Sequence, residues 1–116
     1  MKRKITQKGQ SRVLKYNIEK IKISTPKKWD KKWRLIIFDI PENKKLGRNI
    51  LRELLKRLGF CQYQKSVWIY PFDCRNEIDF IKEIYEIRPY VKLVVAEKID
   101  DESKYLDFFG LKTSSV

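Results

Sequence analysis

One stretch of this chain brings a carboxylate to a place where chemistry is often done. In KWRLIIFDIPENKK, Lys32 to Lys45, an apolar run meets Asp39 and then breaks at Pro41. A carboxylate at the end of a strand and just ahead of a helix can hold a hard divalent cation such as Mg2+, which takes one or two carboxylates and completes its shell with water and phosphate oxygens. Two copies of Asp39 meeting across a two-fold axis would share such a metal, which would activate water and neutralise developing charge in phosphodiester cleavage. The same residue would equally serve a strand-to-helix turn, accepting hydrogen bonds from amides near Asn43. Glu42 is a second carboxylate nearby, placed where a first-turn acid favours the helix dipole. The chain has no histidine, which excludes Ser-His, Cys-His and histidine-based general-base mechanisms. Its two cysteines, Cys61 and Cys74, have no histidine to complete a zinc set and read as buried free thiols.

The basic side chains are the second chemical resource. Lys and Arg number 27 against 15 acids, for a formal charge of +12, and the imbalance is local. Residues 1–34 hold 13 bases against two acids, Glu19 and Asp30, whereas residues 35–116 hold 14 against 13. Such an arm attracts polyanions through counterion release and long-range steering, with phosphate backbones the commonest partner. Lys2, Arg3, Lys4, Lys8 and Arg12, with Lys27 and Lys28 at the end of the arm, are its candidate phosphate contacts. Two other readings stand beside this one: a solvated tail without a partner, and an acidic membrane surface, for which the arm lacks an apolar helical face. No run approaches the roughly 18 apolar residues needed to span a bilayer, and no signal-peptide core follows the basic start, so a cytoplasmic protein is expected.

These groups must be positioned by one domain, since 116 residues suffice for a single core. KITQKGQSRVLKYNIEKIKI contains a turn at Lys8-Gly9 and scattered apolar residues, and fits either a hairpin followed by a short helix or an extended arm. STPKKWDKK reads as a linker whose basic residues stay in water. Trp33 to Ile40 reads as the first strand, apolar on both faces and ended by Pro41. A helix is expected over about Asn43 to Leu58, with Leu46, Ile50, Leu51, Leu54, Leu55 and Leu58 as its buried stripe and Gly59 as its cap. Lys45, Arg48, Arg52 and Lys56 line its other side at spacings of three and four, which suits either a phosphate backbone or a solvated face. FCQYQKSVWIYPF gives two short strands about a kink near Gln64. A second helix begins at Asp73 or Cys74 and runs to about Ile87, burying Ile78, Ile81, Ile84 and Tyr85. YVKLVVA is the last core strand, and DDESKYLDFFG a short helix docking Leu106, Phe108 and Phe109.

The order is βαββαβ plus a C-terminal helix: an α+β, ferredoxin-like sandwich. In that plan both helices lie on one face of the sheet, and an apolar opposite face needs a cover. A second copy of the chain supplies one economically, while the N-terminal arm or the C-terminal helix would supply it from within. The expected organisation is a basic arm over 1–28, the domain over 29–110 and a tail over 111–116.

WRLIIFDIPENKKLGRNILRELLKRLGFCQYQKSVWIYPF resembles the opening of the CRISPR-associated endonuclease family called Cas-two. The likeness lies in Phe38-Asp39-Ile40, the basic amphipathic helix, Gly59, and Gln64-Lys65-Ser66-Val67-Trp68. It is closer still to the Cas-two-like middle domain of PaaX-type transcriptional repressors, with KWRLIIFDIPE, QKSVW and YPFDC occurring together. The resemblance implies a ferredoxin-like homodimer that binds nucleic acid, DNA before RNA, with Asp39 as the metal ligand and catalytic carboxylate at the two-fold. It implies either a Mg2+-dependent endonuclease or CRISPR adaptation subunit, working with an integrase, or a non-catalytic DNA-binding regulator domain. Two departures count against a nuclease: Pro41 and Glu42 stand where acid or hydroxyl residues often follow Asp-Ile, and Ile69 stands where many of the nucleases carry Glu. ITQKGQSRVLKY resembles the wing of a winged helix-turn-helix without its recognition helix, so either another DNA-reading protein supplies specificity or the arm grips the backbone without it.

Overall fold

The computed structural model describes residues 19–111. The turn expected at Lys8-Gly9, the wing-like segment and Lys2, Arg3, Lys4, Lys8 and Arg12 lie outside the described residues. Four strands, β1 (Trp33–Phe38), β2 (Cys61–Gln64), β3 (Val67–Tyr70) and β4 (Val91–Ala96), form one sheet in the order β2-β3-β1-β4. Every neighbouring pair is antiparallel. Helices α1 (Lys45–Arg57) and α2 (Arg75–Ile84) make the two crossovers, and α3 (Glu102–Phe109) follows β4. This is the ferredoxin-like arrangement expected from the order of elements. Among the described residues no helix is long and apolar enough to cross a membrane.

The register shows why β1 is apolar on both sides. Arg34, Ile36 and Phe38 stand opposite Tyr70 and Trp68 of β3 and Val95, Leu93 and Val91 of β4, on the face that α1 and α2 cover. Leu51, Leu54 and Leu55 of α1 and Ile78 and Ile81 of α2 close that layer, with Ile87 buried beside them. Gly47 lets the layer close tightly, because a Cβ there would stand 3.0 Å from the Tyr85 Cβ and 3.1 Å from the Ile87 Cγ2. The kink near Gln64 is a bulge between Gln62 and Gln64, and the Gln62 side-chain amide donates to the Lys65 carbonyl across the turn at 3.0 Å.

On the opposite face Trp33, Ile69 and Tyr105 form a second cluster, joined by Trp29, Leu35, Cys61, Tyr63, Ile99, Leu106 and Phe109. The cover at this end therefore comes from the chain's own C-terminal helix. Trp33 Nε1 donates to Glu102 Oε1 at 2.8 Å, pinning the first turn of α3 to the first residue of β1. The hydrophobic gain from burying Trp33 and Ile69 alone is about 3–5 kcal/mol. The other half of the face stays open at Ile37, 39% exposed, and Val94, 41% exposed.

Several boundaries and phases depart from the sequence reading. β1 ends at Phe38, and a 3-10 turn at Glu42–Lys44 precedes α1 in place of a continuous helix from Asn43. α2 stops at Ile84 because Glu86, at a φ of 52°, turns the chain and sends Ile87 back into the core. Leu46, in the first turn of α1, is 65% exposed and does not join the buried stripe. In α3 the buried residue is Tyr105, and Phe108 is 59% exposed. Of the two free thiols, Cys74 is buried and Cys61 only half-buried.

Candidate nucleic-acid interface and the Asp39 position

Asp39 leaves β1 at the sheet end facing the 3-10 turn before β4. Its backbone amide donates to the Tyr90 carbonyl at 2.9 Å, which fixes the main chain, and its side chain is exposed. No side chain caps the turn at Glu42–Lys44 or the start of α1; the turn is closed instead by Lys44 N donating to Pro41 O at 2.9 Å. The hydrogen-bonding role expected for the Asp39 carboxylate near Asn43 is thus taken by backbone. Pro41 accounts for this, because its carbonyl begins the turn while its ring fixes the chain direction.

The neighbouring charges are committed elsewhere. Arg48 donates to Glu42 at 3.2 Å, and Lys44 pairs with Glu86 at 3.5 Å. The guanidinium of Arg52 lies 6.0 Å from the centre of the Phe38 ring. Within one chain these residues do not fit a Mg2+ site: Asp39 supplies a single carboxylate, Glu42 is drawn to Arg48, and the described residues contain no cluster of three acidic or thiol groups. Position 69, where a second acid would stand, is Ile69 at 0% exposure between Trp33 and Tyr105. Burial pushes the Cys74 thiol up to about 12, so it holds no thiolate near neutrality.

The candidate phosphate contacts divide in two. Lys45 and Lys56 are exposed on α1, while Arg48 and Arg52 are half-buried and engaged as described. Lys27 and Lys28 are exposed on the segment entering β1. That segment is no free linker. Asp30 receives a two-pronged contact from Arg34, with Nη1 at 2.8 Å from Oδ1 and Nη2 at 2.6 Å from Oδ2. Arg34 Nη1 also donates to the carbonyls of Lys32 at 3.0 Å and Pro71 at 2.8 Å. The hydrogen bond from Arg34 holds the Asp30 carboxyl below its ordinary value, and the same contact raises the arginine. Upstream, Ile21 and Ile23 pack against the main core, and Arg57 donates to the Ile21 carbonyl at 3.2 Å. The sequence reading missed this fastening. Its one signal was the spacing of Asp30 and Arg34, which carries meaning on a helix and is ambiguous in a loop.

The architecture is that of a ferredoxin-like domain. Residues 26–106 match the PaaX protein central Cas2-like domain, and the chain belongs to that family. No curated protein and no solved structure matches it.

Proposed function

We propose that this chain is a non-catalytic central domain of a PaaX-type transcriptional regulator that binds DNA through its basic N-terminal region. Family membership supports the regulatory setting. The observation that carries the non-catalytic part is Ile69, fully buried where the related nucleases often place an acid, and the described residues contain no group of three acidic or thiol side chains that could hold a metal. Lys2, Arg3, Lys4, Lys8 and Arg12, with Lys27 and Lys28, supply phosphate contacts, and the exposed Lys45 extends them onto α1. Arg48 and Arg52 serve mainly the fold, through Glu42 and Phe38. A second copy covers the open half of the sheet at Ile37 and Val94, giving a homodimer.

The test uses duplex DNA and the full chain. Replacing Lys2, Arg3, Lys4, Lys8 and Arg12 by Gln is expected to weaken binding and to reduce the slope of log affinity against log salt by about four. Unchanged affinity and slope would remove the arm from the interface. With Mg2+ or Mn2+ supplied, parent and Asp39→Asn are expected to be equally inactive on DNA and RNA. Metal-dependent cleavage by the parent that Asp39→Asn abolishes would favour the second reading, an endonuclease or CRISPR adaptation subunit. One observation supports that alternative: Asp39 is exposed and uncommitted, as a ligand shared across a two-fold would be.

A further inference from the structure

The segment entering β1 carries Lys27, Lys28, Lys31 and Lys32, all exposed, around a single acid, Asp30. Electrostatically the acid is misplaced, because it lowers the positive potential of the cluster it sits in. Structurally it is the centre of the segment. Asp30 Oδ1 accepts from the Lys32 amide at 3.1 Å while both its oxygens take the Arg34 guanidinium. The Lys32 carbonyl accepts from Arg34 and from Trp29 Nε1, the latter at 2.9 Å. The Trp29 ring packs edge-on against the buried Trp33 with centroids 4.9 Å apart. Lys31 is held at a φ of 65°, a conformation that a side-chain-bearing residue keeps only when its surroundings impose it. Pro26 and Lys28 line a cavity of about 180 Å³ with Arg34, Phe72 and Asp73.

We propose that Asp30 and Arg34 form a clasp that holds Lys27, Lys28, Lys31 and Lys32 at fixed positions for contact with DNA phosphates. The inference rests on the DNA-binding reading above and adds to it a positioning residue of negative charge. A preset backbone reduces the ordering cost that four lysines on a loose linker would pay on binding. Asp30 therefore strengthens binding despite its sign.

That sign makes the test sharp. Asp30→Asn raises the net charge by one unit, so a cluster acting as unconstrained charge would bind duplex DNA more tightly. The clasp requires the opposite: affinity about tenfold lower at physiological salt, and a salt slope shallower by about two as phosphate contacts are lost. Hydrogen exchange supplies a readout independent of DNA. Amides of residues 26–32 should exchange faster in Asp30→Asn while β1 keeps its protection. Unchanged exchange, or DNA binding as tight as the parent's or tighter, overturns the clasp while leaving the DNA-binding reading intact. A parent chain that does not bind duplex DNA overturns both.

Discussion

Two aspartates flank the same strand and meet opposite fates. Asp30, three residues before β1, is locked to a buried arginine, to the Lys32 amide and through the arginine to Pro71 just after β3; Asp39, just after β1, faces solvent, and among the described residues only its backbone is engaged. The difference lies in the kind of side chain, charged or apolar, that the adjoining strand residue turns to the helical layer. Arg34 points into the helical layer at its rim, where a guanidinium needs a counter-charge, and Asp30 is the acid that pairs with it directly, with Asp73 close by. At the other end Phe38 and Ile40 are apolar and buried, Pro41 closes the turn with its own carbonyl, and nothing there needs a carboxylate. Of these two carboxylates, one stays in water and the other lies against an arginine.

The severest way to break that comparison is to place a carboxylate where neither is offered. Ile69→Glu should cost at least about 4 kcal/mol in urea unfolding, because Ile69 lies fully buried between Trp33 and Tyr105. A well-folded variant would show that α3 detaches readily and that an acid is tolerated at the nuclease-like position.

Removing the partner of the locked aspartate comes next. Arg34→Ala removes the guanidinium from Asp30 and from the carbonyls of Lys32 and Pro71, leaving Asp30 the Lys32 amide and the Lys32 carbonyl the Trp29 indole, and an expected loss of about 2–3 kcal/mol follows, measured the same way. A smaller effect is expected of Asp30→Asn, about 1 kcal/mol at neutral pH, because the carboxylate is partly exposed and the pair is screened. Its signature is in acid. Asp30 titrates below its unfolded value of 3.8, so its stabilisation is complete above that value and is lost as the pH falls through the lower folded value. The parent should therefore lose stability more steeply than Asp30→Asn below about pH 4. The smallest effect belongs to Asp39→Asn, expected within about 0.5 kcal/mol of the parent. A larger loss would mean that the exposed aspartate has a structural partner after all.

Periodicity made most of the architecture legible. A short apolar run from Trp33 ended by Pro41, a leucine stripe at helical spacing and a kink near Gln64 pointed to the element order, and the order implies the sheet topology. Phase was harder to read in short elements. Tyr105, Leu106, Phe108 and Phe109 offer more than one apolar stripe over two turns, and only docking on Trp33 and Ile69 selected Tyr105 over Phe108. Leu46 fits the stripe of α1 by spacing yet stays 65% exposed in the first turn of the helix.

What the sequence determined by itself was the inventory and the order: one basic region, one βαββαβ domain, Asp39 at the end of the first strand and no histidine chemistry. These follow from local pattern, which neighbouring residues specify. Only the tertiary structure decided that α3 covers half of the open face, that Gly47 is where the helical layer closes against Tyr85 and Ile87, and that Asp30 rather than Asp39 is the fastened carboxylate. Each of these depends on groups brought together from distant parts of the chain, such as Arg34 with Pro71 and Trp33 with Glu102, whose meeting is set by packing and leaves no period to read.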